Sequence, residues 1–99
     1  MYKITYLQKA LDDLDEIHFY ITNDSPKVAD KVTNNILDAI DGLETFPFIG
    51  SAVSDRLALR GDYRMMVVSP YLVFYRVINE QVVIYRVLHE KRYLNALID

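Results

Sequence analysis

RGDYRMMVVSPYLVFYR, residues 60–76, decides how the chain is read. Two apolar runs rich in valine, tyrosine and methionine flank Ser69-Pro70, a turn pair. The stretch therefore predicts two strands, about 61–68 and 71–78. A third run, about 82–88, follows Asn79-Glu80-Gln81, where asparagine suits a positive φ. Strands joined by links this short form an antiparallel meander. Each predicted strand carries one arginine: Arg64, Arg76 and Arg86.

Working outward, Tyr2-Lys3-Ile4-Thr5-Tyr6 alternates and reads as an N-terminal strand. Leu7, Leu11, Leu14, His18 and Ile21 then recur at helical spacing, widened by Ala10 and Ile17. Asp12, Asp13, Asp15 and Glu16 fall on what reads as the solvent face. Ser25 reads as an N-cap and Pro26 as the first residue of a second helix. Its stripe is Ala29, Val32, Ile36, Ile40 and Leu43, and Pro47 must end it. Two helices so closely linked form an antiparallel hairpin. An irregular connection runs from Phe46 to about Ala58. Tyr93, Leu94, Leu97 and Ile98 have helical spacing in a short C-terminal helix or tail. The expected class is α+β: an N-terminal strand, a helical hairpin, then a three-stranded antiparallel meander. The helices cover one face of the sheet and leave the other partly open.

The chain has 99 residues, the size of one domain spanning 1–99. At 52% apolar it has the means to fold. It has no cysteine, which fits a reducing, cytoplasmic setting. The N-terminus lacks the apolar core of a signal peptide, and no run approaches the ~20 residues of a membrane span. The net charge of −3 is uneven. Residues 1–55 carry four Lys against ten Asp and Glu, and residues 56–99 carry seven Lys and Arg against four acids. An acidic whole argues against sequence-blind nucleic-acid binding, which rests on many basic groups.

Most of the remaining motifs read as structure. Arg60-Gly61-Asp62 matches an adhesion tripeptide but reads as a turn leading into a strand. Neither histidine has metal-ligand spacing, so no metal and no cofactor is expected. His18 lies on the apolar stripe and reads as a hydrogen-bonded boundary residue. His89 ends a strand beside Glu90, Lys91, Arg92 and Tyr93, a setting in which it could act as an acid or base. An unpaired guanidinium under the helices is very unfavourable. Arg64, Arg76 and Arg86 are therefore either on the open face or paired with helix carboxylates. Register, which the sequence leaves open, decides between these.

LRGDYR, YLVFYRV and VVIYRVLHEKRYLNAL, with the preceding YKITYLQKALDDLDEIHFYI and SPKVADKVTNNILDAIDGLETFPFIG, resemble the ParE toxins of the RelE/ParE superfamily. The likeness covers nearly the whole chain. It implies the toxin half of a bacterial type II toxin–antitoxin pair, held in a hetero-oligomer with a small cognate antitoxin. ParE-like members poison DNA gyrase, whereas RelE-like members cut mRNA on the ribosome. The RelE-like pattern has a further lysine where Met66 stands and an arginine where Leu72 stands. Leucine cannot donate to a phosphate, and the acidic balance is a poor match for an RNA-docking enzyme. The resemblance therefore implies a gyrase inhibitor without catalysis of its own. Its expected contact residues are Arg64, Arg76, Arg86, His89, Lys91 and Arg92, followed by Tyr93, Leu94 and Leu97. The alternative is an mRNA endonuclease using Arg64, His89, Arg92 and Tyr93.

Overall fold

The computed structural model describes residues 1–53 and 63–92. Strand β1 (Lys3–Tyr6) leads into helix α1 (Gln8–Thr22) and helix α2 (Pro26–Asp41). A 3-10 turn, Gly42–Glu44, and a short strand β2 (Ser51–Ala52) follow. Strands β3 (Tyr63–Val68), β4 (Tyr71–Ile78) and β5 (Gln81–His89) form the meander. Residues 90–92 then take up helical geometry.

Local chemistry accounts for most boundaries. The Ser25 hydroxyl accepts the Val28 N–H at 3.3 Å, and Pro26 occupies the first turn of α2, where its missing N–H costs nothing. Asn79 takes φ 57° in the β4–β5 turn, the left-handed conformation that asparagine tolerates. The β3–β4 turn passes through a cis Ser69–Pro70 peptide.

The sheet order is β1-β5-β4-β3-β2. β1 runs parallel to β5, with Ile4 beside Val82 and Tyr6 beside Ile84. The other pairings are antiparallel. β2 lies inside what the sequence reads as an irregular connection. It pairs only two residues, Ser51 with Met65 and Ala52 with Arg64, too short a run to show alternation.

The core forms between the helices and one sheet face. Ala10, Leu14, Ile36 and Ile40 meet Val73, Tyr75, Val82, Ile84 and Val87. The stripe of α2 lies where its spacing puts it, with Ala29, Ile36 and Ile40 buried. That of α1 is rotated. Leu7 and Leu11 are exposed, while Ala10, Asp13 and Leu14 are buried. Asp13 is thus not on the solvent face where the sequence reading put it. Its spacing from Ala10 and Ile17, three and four residues, had already marked it as a member of the apolar stripe.

One irregularity sets the faces of β5. Phe74 pairs with Arg86 and Tyr75 with Ile84, so Tyr85 is an extra residue on β5, a β-bulge. Strict alternation would put Arg86 with Val82 and Ile84. The bulge resets the count, and Val87 takes the core position instead.

Candidate functional site

The three strand arginines have three different environments. Arg86 is a latch. Its Nε donates to Asp13 Oδ2 at 2.7 Å and its Nη2 to Asp13 Oδ1 at 3.0 Å. Asp13 Oδ2 also accepts the Val87 N–H at 2.9 Å. The reason lies in the topology. β1 pairs with β5 only as far as Ile84, and the Leu7 N–H closes on the Ile84 carbonyl. Beyond that point α1 lies along the free edge of β5, and the buried Asp13 carboxylate replaces the missing strand. The same bonds hold the Arg86 guanidinium above its ordinary basicity, against a smaller opposing effect of burial. Arg86 therefore takes the paired alternative, although register puts it opposite Phe74 on the face away from the helices.

Arg64 departs from the open face. It pairs with Tyr75, next to Met66 and Val73, on the helix-bearing side of the sheet. No carboxylate meets it among the described residues. Its Nη1 donates to the carbonyls of Phe48 (3.2 Å) and Gly50 (2.6 Å), and the guanidinium stacks 5.0 Å from the Phe48 ring centroid. Gly50 is the hub of this corner, since its N–H also donates to the Tyr75 hydroxyl at 2.9 Å. A Cβ at Gly50 would lie 2.7 Å from that hydroxyl and 2.9 Å from the Met65 carbonyl oxygen, so only glycine fits. Burial raises the Tyr75 hydroxyl above its ordinary pKa of 10.0, with the Gly50 N–H and Arg64 pulling the other way.

Arg76 alone of the three lies on the open face without a carboxylate partner among the described residues. It lies opposite Tyr63 and Val83, alternating with the core residues Tyr75 and Val77, and so projects from the face away from the helices.

The tail residues converge elsewhere. A groove of about 640 Å³ separates α1 from the end of β5. Ile17 and Val87 form part of its wall, Asp13 and Glu16 lie at one side, and His89, Lys91 and Arg92 at the other. Phe19 and Tyr20, both more than 70% exposed, extend the α1 wall. Tyr71 stacks edge-on against His89 at 5.4 Å. Burial, then the nearby Tyr20, raises the Tyr71 hydroxyl pKa. The His89 Nδ1 accepts the Lys91 N–H at 3.1 Å. In the neutral ring the proton is then on Nε2, so His89 offers the groove a donor and not a base.

Arg64 and His89 do not share a site. Arg64 is level with Tyr75 and His89 with Tyr71, two strands away. Four residues of strand rise and two inter-strand spacings put their backbones about 16 Å apart. Leu72 is 5% exposed and Met66 packs against the core, so neither supplies a polar group. Tyr93, Leu94, Leu97 and the Arg60-Gly61-Asp62 tripeptide lie outside the described residues. His18 is satisfied on the surface, its Nε2 2.8 Å from Asp30 Oδ1. Among the described residues no group of three His, Asp or Glu could hold a metal, and no helix is long and apolar enough to cross a membrane.

Sequence reasoning missed Asp13, Gly50, Tyr63 and the α1 wall of the groove. Asp13 carried a spacing signal. The others become visible only once loops and strands are brought together.

Comparison with known proteins places this architecture. The family model described as the ParE toxin of the type II toxin–antitoxin system, parDE, matches residues 4–94. A curated relative, Toxin RelE2 of Caulobacter vibrioides, is 33% identical over 92 residues, covering 93% of this chain and 99% of the relative. A solved structure titled "Chromosomal ParDE TA system from P. aeruginosa" superposes with a TM-score of 0.74 at 24% identity. It covers 90% of this chain and 96% of that one, a likeness of fold.

Proposed function

The chain belongs to the ParE toxin family of type II toxin–antitoxin systems, and from that premise we propose that it acts by binding DNA gyrase and is silenced by a cognate antitoxin. The observation that carries the choice of target is the dispersal of the nuclease set. Arg64 is bonded to loop carbonyls at one end of the sheet, and His89 lies at the other with its Nδ1 lone pair already taken. Charge stabilisation and proton transfer at one phosphate need both groups within hydrogen-bond reach of the reacting atoms. Leu72, an aliphatic residue, adds nothing to such a site.

The groove beside α1 suits an antitoxin segment. Its Ile17 and Val87 wall takes apolar side chains, and Lys91 and Arg92 offer charge-assisted bonds to acidic ones. Of the strand arginines, Arg64 and Arg86 serve the fold, while Arg76 remains a contact residue. Tyr93, Leu94 and Leu97 stay among the expected contact residues in this reading.

A second reading, an mRNA endonuclease acting on the ribosome, draws on one observation: His89, Lys91 and Arg92 share a groove. The test is direct. Purified chain is expected to inhibit gyrase supercoiling and to leave mRNA intact on translating ribosomes. Cleavage of ribosome-bound mRNA with gyrase unaffected would overturn the proposal.

A further inference from the structure

Arg76 shows what is distinctive about the face away from the helices. Its guanidinium carbon lies 5.3 Å from the Tyr63 ring centroid, in cation–π contact. Tyr63 is in turn braced edge-on by Tyr85, the bulge residue of β5, with centroids 4.9 Å apart at 71°. The bulge that resets Arg86 therefore also places the second tyrosine of this platform. Arg76 is half-buried, and its Nε is closed off from water without a hydrogen-bond partner. Among the described residues no carboxylate pairs with it, whereas Arg86 has Asp13 and Arg64 has two carbonyls. Buried polar groups in folded proteins are nearly always satisfied, so an arginine Nε held against an aromatic platform without an acceptor calls for an explanation.

We propose that Arg76, Tyr63 and Tyr85 form a docking point for a carboxylate on an acidic peptide segment of a partner protein, separate from the groove beside α1. A planar fork fixed by stacking loses little freedom when it binds, and it matches a carboxylate with two parallel bonds. The surroundings define the kind of segment. Val83 flanks Arg76 on β5, and Met65 and the 59%-exposed Val67 continue the same face of β3. The fitting partner carries one Asp or Glu between apolar residues. A nucleic acid suits the surface less well. By register, the described strands add only Lys3, at the far edge, and Arg86, already neutralised by Asp13, to the cations of this face. A polyanion gains its affinity from many phosphate contacts at once.

The proposal does not depend on whether gyrase is the target. Its test is NMR titration of the full chain, following the Arg76 Nε–Hε signal and the Tyr63 and Tyr85 ring protons. The probes are an end-blocked Leu-Ala-Glu-Ala-Leu peptide, its Gln counterpart, and a short oligothymidylate. The Glu peptide is expected to move all three sets of signals and to bind roughly tenfold more tightly than the Gln peptide, as a charge-assisted fork exceeds a neutral contact. Arg76→Lys keeps the charge and loses the fork, and is expected to remove most of that preference. Tyr63→Leu, which leaves the arginine in place, is expected to weaken binding by loss of the platform. Circular dichroism of each variant establishes that it is folded. The proposal is overturned if the Glu and Gln peptides act alike, if Arg76→Lys binds as the parent does, or if only the oligothymidylate moves the Arg76 signal.

Discussion

Arg86 and Arg76 stand on neighbouring strands and are treated oppositely by the fold. Arg86 is bound on two nitrogens by a buried carboxylate that also closes the free edge of β5. Arg76 rests on a tyrosine with its Nε unanswered. The difference teaches that a strand arginine in this family-typical sequence is not one kind of residue. Where a helix carboxylate lies against an open strand edge, the arginine becomes part of the framework. Where no carboxylate among the described residues reaches it, it remains available to a partner.

The largest expected effect tests the first half of that comparison. Asp13→Ala strands a guanidinium and the Val87 N–H, and should destabilise the chain by about 3–5 kcal/mol in urea unfolding, the range for breaking a buried pair from one side. Replacing Arg86 with methionine in the same chain should recover part of the loss, because the stranded charge is gone. A smaller effect is expected at the Arg64 corner. Gly50→Ala forces the Tyr75 hydroxyl and the Met65 carbonyl apart, and should cost about 1–3 kcal/mol as an overpacking change. Arg64→Met alone should cost less there, since it removes a donor from carbonyls near the surface.

Alkaline titration separates this corner from the platform. Burial raises the Tyr75 pKa above 10.0 in the folded chain. Between the unfolded and folded values the native state holds the extra proton, so stability is full below pH 10 and falls as pH rises above it. Tyr6 and Tyr71 shift the same way, chiefly through burial. Thermal melts from pH 8 to 11 should show the decline, and Tyr75→Phe should reduce its slope while lowering stability at neutral pH through the Gly50 N–H left without an acceptor. Arg76→Leu closes the series. It removes a cation–π contact worth about 0.5–1 kcal/mol and relieves an unsatisfied Nε, so the net change in stability should be the smallest of all. A loss as large as that of Asp13→Ala would erase the contrast between the two arginines.

Much of the fold was legible because it rests on local signals. Ser25-Pro26 marked the start of α2, Asn79 the last hairpin, and Ser69-Pro70 the first. The spacing of Ala29, Val32, Ile36 and Ile40 named the buried face of α2. The order of strands and helices, with the resemblance carried by YLVFYRV and VVIYRVLHE, led to the toxin family that the comparisons bear out. The candidate site was legible only in part. His89, Lys91 and Arg92 could be grouped because they are neighbours in sequence and line one groove together.

The roles of the arginines were not legible, and the reason is geometric. Strand faces follow from counting by twos, and one extra residue reverses the count. The bulge at Tyr85 is such a residue, and nothing in the run VVIYRVLH announces it. Nor does the first helix reveal that Asp13 will meet an unpaired strand edge more than seventy residues later in the chain. Composition, turn chemistry and periodicity are properties of neighbours, and they determined the elements and their order. The pairing of charges depends on which elements end beside one another in space, and only the tertiary structure decided that.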